Sequence, residues 1–256
     1  MNTVILIAAH KKVQLPNKEG YLPVLVGADK NYRADIDYQP DNDGNNISSK
    51  NPNYNELTAV YWAWKNLSAD AIGLVHYRRF FFSSRPYSIE NVIDINRINK
   101  LLETNDVILP KIRHYYIENN ENHYIHAHEQ EPLELTRKII NRNYPDYELA
   151  FEKVMKKTSA HMFNMFVMKK EAFNSYCTFV FSVLEELENQ LDISMYSPQE
   201  QRVYGYIAEL LMDVWINSND ITYTELPWGQ IGPSKFFNKA IAMVMRKIGI
   251  KTKTHF

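Results

Sequence analysis

The chain has 256 residues, of which 45% are hydrophobic and 23% are charged, as in ordinary globular domains. Its 29 basic and 30 acidic residues give a net charge of −1, which excludes a generally cationic nucleic-acid binder. The single cysteine, Cys177, excludes an internal disulfide and a cysteine zinc site, and it indicates a reducing compartment. No amino-terminal signal pattern and no run of about 18 apolar residues occurs, so we expect a cytoplasmic protein without a membrane span.

The hydrophobic pattern predicts strands that alternate with helices. Apolar runs typical of buried strands occur at 3–9, 22–26, 71–77, 106–109 and 161–168. Helical periodicity predicts helices at 55–66, 91–105, 132–143, 147–157, 171–191 and 199–217. This alternation predicts an α/β fold with a largely parallel central sheet flanked by helices.

Residues 29–55 are rich in Asn, Asp and Ser, which predicts one long loop, and loops of this length tend to be functional. The loop contains Asp41 and Asp43 as an Asp-x-Asp, the form in which many sugar-nucleotide enzymes bind a divalent metal. Here the motif does not follow an apolar strand, and Asn and Asp favour turns. A hard cation also needs several convergent oxygens. We therefore expect a turn in preference to a metal site.

Cationic side chains follow two of the predicted buried strands. His10 and Lys11 follow the first strand, and residues 76–79, His-Tyr-Arg-Arg, close the third. Ligands of open α/β sheets bind beyond the carboxyl ends of the strands, and Arg and Lys bind phosphate oxygens. The spacing therefore indicates binding of a phosphorylated small molecule. The alternative is that these are solvated charges at strand ends.

Two further groups of polar residues are candidates for chemistry. His123, His126 and His128 lie in a polar stretch, but their spacing matches no zinc site, which favours a surface or acceptor-binding role. Arg202 and Glu209 share one face of a predicted helix. Either they form an ion pair that fixes the helix, or Glu209 is a catalytic carboxylate.

Residues 51–81, NPNYNELTAVYWAWKNLSADAIGLVHYRRFF, resemble the signature of a bacterial family long described as a domain of unknown function and associated with capsular or exopolysaccharide biosynthesis glycosyltransferases. Further matching blocks are VILIAAHKK, LPVLVGAD, DGNNISSKN, DVILPK, HMFNMFVMKKEAF and QRVYGYIAELLMDVWI. The resemblance implies a GT-A-like fold and transfer of a sugar from a UDP-sugar to a lipid-linked capsular, exopolysaccharide or O-antigen repeat. Some members are associated with galactofuranose transfer, which indicates UDP-galactofuranose as one donor.

The resemblance also implies which residues bind the nucleotide-sugar. They are His10, Lys11, Gly27, Glu56, His76, Tyr77, Arg78, Arg79, Asn164 and Arg202. Where GT-A enzymes carry Asp-x-Asp at a strand end, this chain carries the cationic residues 76–79. Because cations can neutralise a leaving diphosphate directly, we expect no metal cofactor. Dependence on Mn²⁺ or Mg²⁺ is the less favoured alternative.

Glycosyl transfer develops negative charge on the leaving diphosphate, and an inverting enzyme also needs a base for the acceptor hydroxyl. The cations at the strand ends suit the first task. Candidates for the base are Glu209, Asp43 and His128, in that order. The alternative function is a non-catalytic nucleotide- or glycan-binding component of a polysaccharide assembly complex, which needs no base. The absent glycine-rich dinucleotide motif argues against an epimerase or reductase.

Composition divides the chain into a domain, residues 1–233, and a carboxyl-terminal tail, residues 234–256. From residue 235 onwards the tail has six basic residues, no acidic residue and apolar residues at helical spacing. A basic amphipathic helix of this kind predicts peripheral, salt-sensitive binding to anionic lipid at the inner face of the cytoplasmic membrane. The alternative is a terminal helix packed on the domain.

Overall fold

The structure is a computed structural model that describes residues 1–232, so the predicted amphipathic tail lies outside the described residues. The strands are β1 (Thr3–Ala9), β2 (Tyr21–Leu25), β3 (Gln39–Pro40), β4 (Ala71–His76), β5 (Arg79–Phe81), β6 (Val107–Pro110), β7 (Arg113–His114), β8 (Ser159–Ala160), β9 (Phe166–Lys169), β10 (Tyr223–Leu226) and β11 (Trp228–Gln230). The helices are α1 (Ala28–Asn31), α2 (Asn51–Tyr54), α3 (Leu57–Asn66), α4 (Ile95–Leu102), α5 (Asn120–Ala127), α6 (Glu131–Asn143), α7 (Glu148–Lys156), α8 (Lys170–Gln190) and α9 (Val203–Ser218). None of the helices in this range combines the length and apolar character needed to cross a bilayer.

The central sheet has the strand order β10-β6-β9-β4-β1-β2-β3. Strands β1 to β4 are mutually parallel along this order, and β6 is parallel to β10. Strand β9 runs antiparallel between β4 and β6, and β5 and β11 form a short antiparallel extension beyond β4. These pairings confirm the predicted α/β fold with a largely parallel sheet.

The hydrophobic core covers both faces of the sheet, as the continuous apolar runs predict. Along β1, Ile5 and Ile7 belong to one buried cluster, which also contains residues of α4. Leu6, between them, belongs to the other cluster with residues of α3, α8 and α9. Successive strand residues point to opposite faces, so both faces must be covered for all three to be buried. Cys177 is buried within α8, where burial raises the pKa of its thiol.

The predicted strand at 161–168 is wrong in its first half, because the strand begins only at Phe166. Phe163 and Asn164 instead form a turn with φ values of 76° and 53°, in the left-handed region that strands exclude. Because β9 is antiparallel to β4 and Phe166 pairs with Leu74, this turn lies beside the carboxyl end of β4. The turn therefore reaches the edge of the sheet at which ligands bind.

The predicted long loop at 29–55 is also more ordered than its composition indicates, because Asp41 anchors it from inside. Asp41 is 0% exposed. Its carboxylate accepts hydrogen bonds from the backbone N–H groups of Gly27 and Ala28, at 2.8 and 2.9 Å. It also accepts from the hydroxyls of Ser48 and Thr58, each at 2.5 Å. Four donors occupy its two oxygens, so this carboxylate is engaged in holding the loop together.

We expect Asp41→Ala to lower the free energy of unfolding by at least about 3 kcal/mol, since four donors lose a buried charged acceptor. The measurement is urea unfolding followed by circular dichroism. Asp43→Ala is the matched control, because Asp43 is exposed two residues further on and its removal should cost less than about 0.5 kcal/mol. Equal stability of the two variants would contradict the anchoring role.

Candidate active site

A pocket of about 120 Å³ opens beside the carboxyl end of β4. Its lining residues divide by chemistry into two groups. The charged group consists of Glu56 just before α3, His76 at the end of β4, Arg79 at the start of β5, Arg202 just before α9, and Glu209 on α9. The α5 group comes from α5, the residues on either side of it, and α9; it consists of Tyr115, Asn120, His123, Tyr124, His128 and Tyr206. Met162, Phe163 and Leu210 complete the lining.

Glu209 supplies the pocket with a carboxyl group that titrates near neutral pH. Burial raises its pKa to about 7, with a smaller contribution in the same direction from the charge of Glu56. A hydrogen bond with the Phe163 backbone and the charges of Arg79 and Arg202 act in the opposite direction. A carboxylate with this pKa can accept a proton at neutral pH, which is the property required of a general base.

Arg79 and Arg202 are held in the pocket by contacts that leave their charge available. The guanidinium of Arg79 lies 4.3 Å from the centre of the Phe163 ring. The Nε of Arg202 donates to Asn55 Oδ1 at 2.8 Å. Arg202 therefore fixes the start of α9 through Asn55 and forms no ion pair with Glu209. Of the two alternatives for Glu209, an ion pair with Arg202 or a catalytic carboxylate, the second therefore remains.

The turn at Phe163 and Asn164 connects the elements that carry these charges. The imidazole Nε2 of His76 lies 2.5 Å from the Phe163 carbonyl oxygen. Burial lowers the pKa of His76, so its neutral ring donates this hydrogen bond at pH 7. The side-chain amide of Asn164 donates to Glu56 Oε1 at 2.7 Å and to the Gly205 carbonyl at 3.1 Å. The left-handed backbone is thus stabilised by contacts from β4, α9 and the start of α3.

His161, just before this turn, bridges two carboxylates. Its Nδ1 lies 2.5 Å from Asp213 Oδ1 on α9, and its Nε2 lies 3.1 Å from Glu225 Oε1 on β10. Its backbone N–H also donates to Asp213 Oδ2 at 3.0 Å. His161 is buried, at 4% exposure, and burial by itself lowers the pKa of its imidazole. The hydrogen bonds and charges of the two carboxylates outweigh burial, so the pKa of His161 is raised above its ordinary value. A charged His161 therefore ties the turn to α9.

This arrangement predicts a pH-dependent stability. The raised folded-state pKa means that the contribution of His161 is fully present below about pH 6.5, the unfolded value, and is lost as pH rises through the folded value. We expect His161→Gln to unfold with a free energy lower by at least about 1.5 kcal/mol at pH 6, and by less at pH 9. Urea unfolding of both proteins at the two pH values measures the difference. An equal difference at both would contradict a charged His161.

A second group of predicted residues lies beside the pocket, at the adjacent ends of β1 and β4. The ring of His10 contacts Tyr77 edge-on with centroids 5.3 Å apart, and the guanidinium of Arg78 lies 5.0 Å from the Tyr77 ring centre. Burial lowers the pKa of His10, with Lys11 and Arg78 acting in the same direction. We call His10, Tyr77 and Arg78 the strand-end patch.

Other predicted residues are not brought into the pocket. Lys11 is exposed at the end of β1, and Asp43 is exposed in the turn that follows Asp41. Gly27 donates its N–H to Asp41, and a Cβ at its position would lie 2.5 Å from Asn51 Oδ1. With its φ of 61°, this close contact explains the glycine without a ligand.

Of the histidines at positions 123, 126 and 128, two line the pocket. His128 does so with Nδ1 3.2 Å from Glu200 Oε2 and its ring stacked on Tyr206 at 4.0 Å. His123 also lines the pocket, whereas His126 is exposed and is paired with Glu118.

The sequence pattern does not predict α5, nor the pocket residues Asn120 and Tyr124 on it, because this stretch is polar and lacks an apolar periodicity. One signal was present: Asn119, whose side chain accepts from the N–H of Asn122 at 2.8 Å, is a typical N-cap residue. Asn120 then donates its amide hydrogens to the carbonyls of Val154 and Ser159, far along the chain.

In the GT-A-like folds that the family resemblance implies, a divalent metal commonly binds at the diphosphate, and such a metal imposes a requirement for convergent acidic side chains. The Asp-x-Asp does not fit it, since Asp41 is buried with all its oxygens engaged and Asp43 lies outside the pocket. Within residues 1–232, no cluster of three or more His, Cys, Asp or Glu side chains is arranged to hold a metal ion.

Comparison with known proteins identifies a solved structure with a similar fold and a family to which the sequence matches. A solved structure described as the WbbM bifunctional glycosyltransferase in its apo form matches with a TM-score of 0.83 and 30% sequence identity. The match covers 91% of this chain and 46% of that one, so this chain spans about half the length of that protein. Curated proteins show no significant match. A family described as Domain of unknown function (DUF4422) matches residues 4–220, and the chain therefore belongs to the DUF4422 family.

Proposed function

We propose that this chain is an inverting glycosyltransferase that transfers a sugar from a UDP-sugar to a lipid-linked capsular, exopolysaccharide or O-antigen repeat. The proposal rests above all on one observation: the pocket at the carboxyl end of β4 contains two arginines and a carboxyl group, Glu209, whose pKa is raised to about 7. Similarity to half of a bifunctional glycosyltransferase supports the same class of reaction.

In the proposed reaction, positive charges stabilise the diphosphate as it leaves. Arg79 and Arg202 provide them in the pocket, where both side chains are partly buried and their charges are therefore less screened by solvent than at the surface. The neighbouring strand-end patch supplies Arg78 and the Tyr77 ring for the rest of the nucleotide. Because these cations neutralise the diphosphate themselves, the proposal includes no metal ion.

Glu209 acts as the base. Its carboxylate takes the proton of the acceptor hydroxyl while that oxygen forms a bond to the anomeric carbon of the donor sugar. The bond from the anomeric carbon to the diphosphate oxygen breaks, its electron pair stays on the departing UDP, and a single displacement inverts the configuration. Among the other candidates, His128 lies in the pocket and Asp43 does not, so His128 is the second choice.

The donor and the cellular location extend the proposal beyond the pocket. UDP-galactofuranose is proposed from the family resemblance. Peripheral association with the inner face of the cytoplasmic membrane is proposed from the basic amphipathic composition of residues 234–256. A surface-bound enzyme would meet its lipid-linked acceptor in the plane of the membrane.

The test is incubation of the full chain with UDP-galactofuranose, UDP-galactose, UDP-glucose and UDP-N-acetylglucosamine, with and without EDTA. We expect slow UDP release from the true donor by hydrolysis, and calorimetric binding of UDP, both unchanged by EDTA because the arginines replace a metal. Activity that is lost in EDTA and restored by Mn²⁺ or Mg²⁺ would contradict the metal-free mechanism. UDP binding without release from any donor would favour the non-catalytic alternative, and the absence of both would contradict the proposed function.

A further inference from the structure

The side chains of the α5 group differ in chemistry from those of the charged group. The α5 group contains no Arg or Lys and is built largely of ring side chains. The rings of Tyr124 and His128 lie 5.0 Å apart, and those of His128 and Tyr206 are stacked at 4.0 Å. A surface without Arg or Lys lacks the side chains that usually bind phosphate, whereas flat apolar ring faces with polar edges suit a neutral ligand.

Two polar atoms of this group are buried without a hydrogen-bond partner among the described residues. Asn120 is 2% exposed and donates both amide hydrogens, to the Val154 and Ser159 carbonyls, which determines the orientation of its amide. Its Oδ1 consequently has no partner within residues 1–232, and neither has the hydroxyl of Tyr124, which is 5% exposed. Buried polar atoms are normally paired, so two unpaired ones lining a single pocket indicate a ligand that pairs with them.

The ligand that fits is a sugar ring. Its hydroxyls can donate to Asn120 Oδ1 and accept from Tyr124 Oη, while its C–H faces pack against aromatic rings. Position supports the same conclusion, because Tyr206 and Glu209 are three residues apart on α9 and therefore share one helix face. A ring held against the α5 group would thus present a hydroxyl near the proposed base.

We propose that the α5 group is the subsite for the acceptor sugar, a neutral hexose ring, with Asn120 and Tyr124 as its hydrogen-bonding residues. This inference rests on the proposed function, since it assigns the second substrate of the same pocket. It also gives a role to the polar stretch around α5, which the donor does not require.

Tyr124→Phe tests the inference, because it removes only a hydroxyl that has no hydrogen-bond partner within residues 1–232. Tyr176→Phe is the matched control: Tyr176 on α8 is fully buried, its hydroxyl is likewise unpaired among the described residues, and it does not line the pocket. Both variants should fold with unchanged stability, checked by thermal unfolding. The probes are methyl glycosides of glucose, galactose and mannose, added to the full chain in the presence of UDP and detected by saturation-transfer NMR.

We expect the wild type to bind at least one methyl glycoside together with UDP, and Tyr124→Phe to bind it about fivefold more weakly, the effect of one neutral hydrogen bond. UDP affinity should be unchanged in both variants, and glycoside binding unchanged in Tyr176→Phe. The inference is overturned if no glycoside binds, if UDP displaces the glycoside, or if both variants bind it equally. Intact UDP binding in any of these cases leaves the proposed function standing, whereas loss of UDP binding by the wild type overturns that function itself.

Discussion

Replacing Glu209 by Gln is expected to lower the rate of sugar transfer at saturating substrate by about 10²–10⁴-fold, the usual contribution of a general base. The amide has the same shape but cannot take the proton of the acceptor hydroxyl. UDP binding should persist or tighten, because a negative charge is removed from the surroundings of Arg79 and Arg202. Steady-state kinetics and calorimetry on the same protein separate the two effects.

The pH dependence gives a second readout for Glu209. The base is active when deprotonated, so the wild-type rate should rise with pH through about 7 and then level off, and Glu209→Gln should lose this rise. Burial raises the folded-state pKa above the unfolded value, so deprotonation becomes a stability cost as pH rises between the two. The variant should therefore be at least as stable as the wild type at pH 8.

Glu185→Gln is the control for charge removal, because Glu185 is an exposed residue of α8 away from the pocket. It should change neither the rate nor the pH profile. If Glu209→Gln kept the wild-type rate and the same dependence on pH, the base would have to be another group, and His128 would be the next residue to replace.

Arg79→Met is expected to weaken UDP binding by about 10- to 150-fold, because it removes a charge-assisted contact worth about 1.5–3 kcal/mol. Methionine keeps an unbranched apolar stem, so the packing against Phe163 is retained and the loss can be assigned to the charge. Calorimetry with UDP is the measurement, and circular dichroism checks the fold.

Two further variants make the result specific. Arg97→Met changes an exposed arginine of α4 and should leave UDP binding unchanged. Arg78→Ala should have a smaller effect than Arg79→Met, because Arg78 is exposed on the strand-end patch and solvent screens its charge. If all three variants bind UDP as the wild type does, the diphosphate does not lie at this edge of the sheet.

Local sequence determined the buried strands β1, β2, β4 and β6, because continuous apolar runs form where both faces are covered, but it did not predict the short strands β3, β5, β10 and β11. The predicted strand at 3–9 coincides with β1, and the strand predicted at 71–77 ends one residue later than β4. The convergence of cations at the ends of these strands also follows from the sequence, since parallel neighbours place their carboxyl ends at the same edge. The α/β class was therefore readable from the chain by itself.

The details of the site were decided by contacts between residues far apart in the chain. Asn164 meets Glu56 across 108 positions, and His76 meets the Phe163 carbonyl across 87. Such contacts stabilise the left-handed turn at 163–164, and no local pattern predicts a conformation that depends on partners supplied by other elements.

Contacts between distant parts of the chain also decide which charged residues lie in the same pocket. Arg78 and Arg79 are adjacent and chemically identical, yet only Arg79 lines the pocket, because successive residues leave the strand end in different directions. Asp41 and Asp43 look equivalent in sequence, but one is buried against four donors and the other is exposed. The sequence determined which charged residues are present and at which edge of the sheet they gather. The burial that raises the pKa of Glu209 to about 7 arises only in the tertiary structure, when α9 packs against the turn at 163–164.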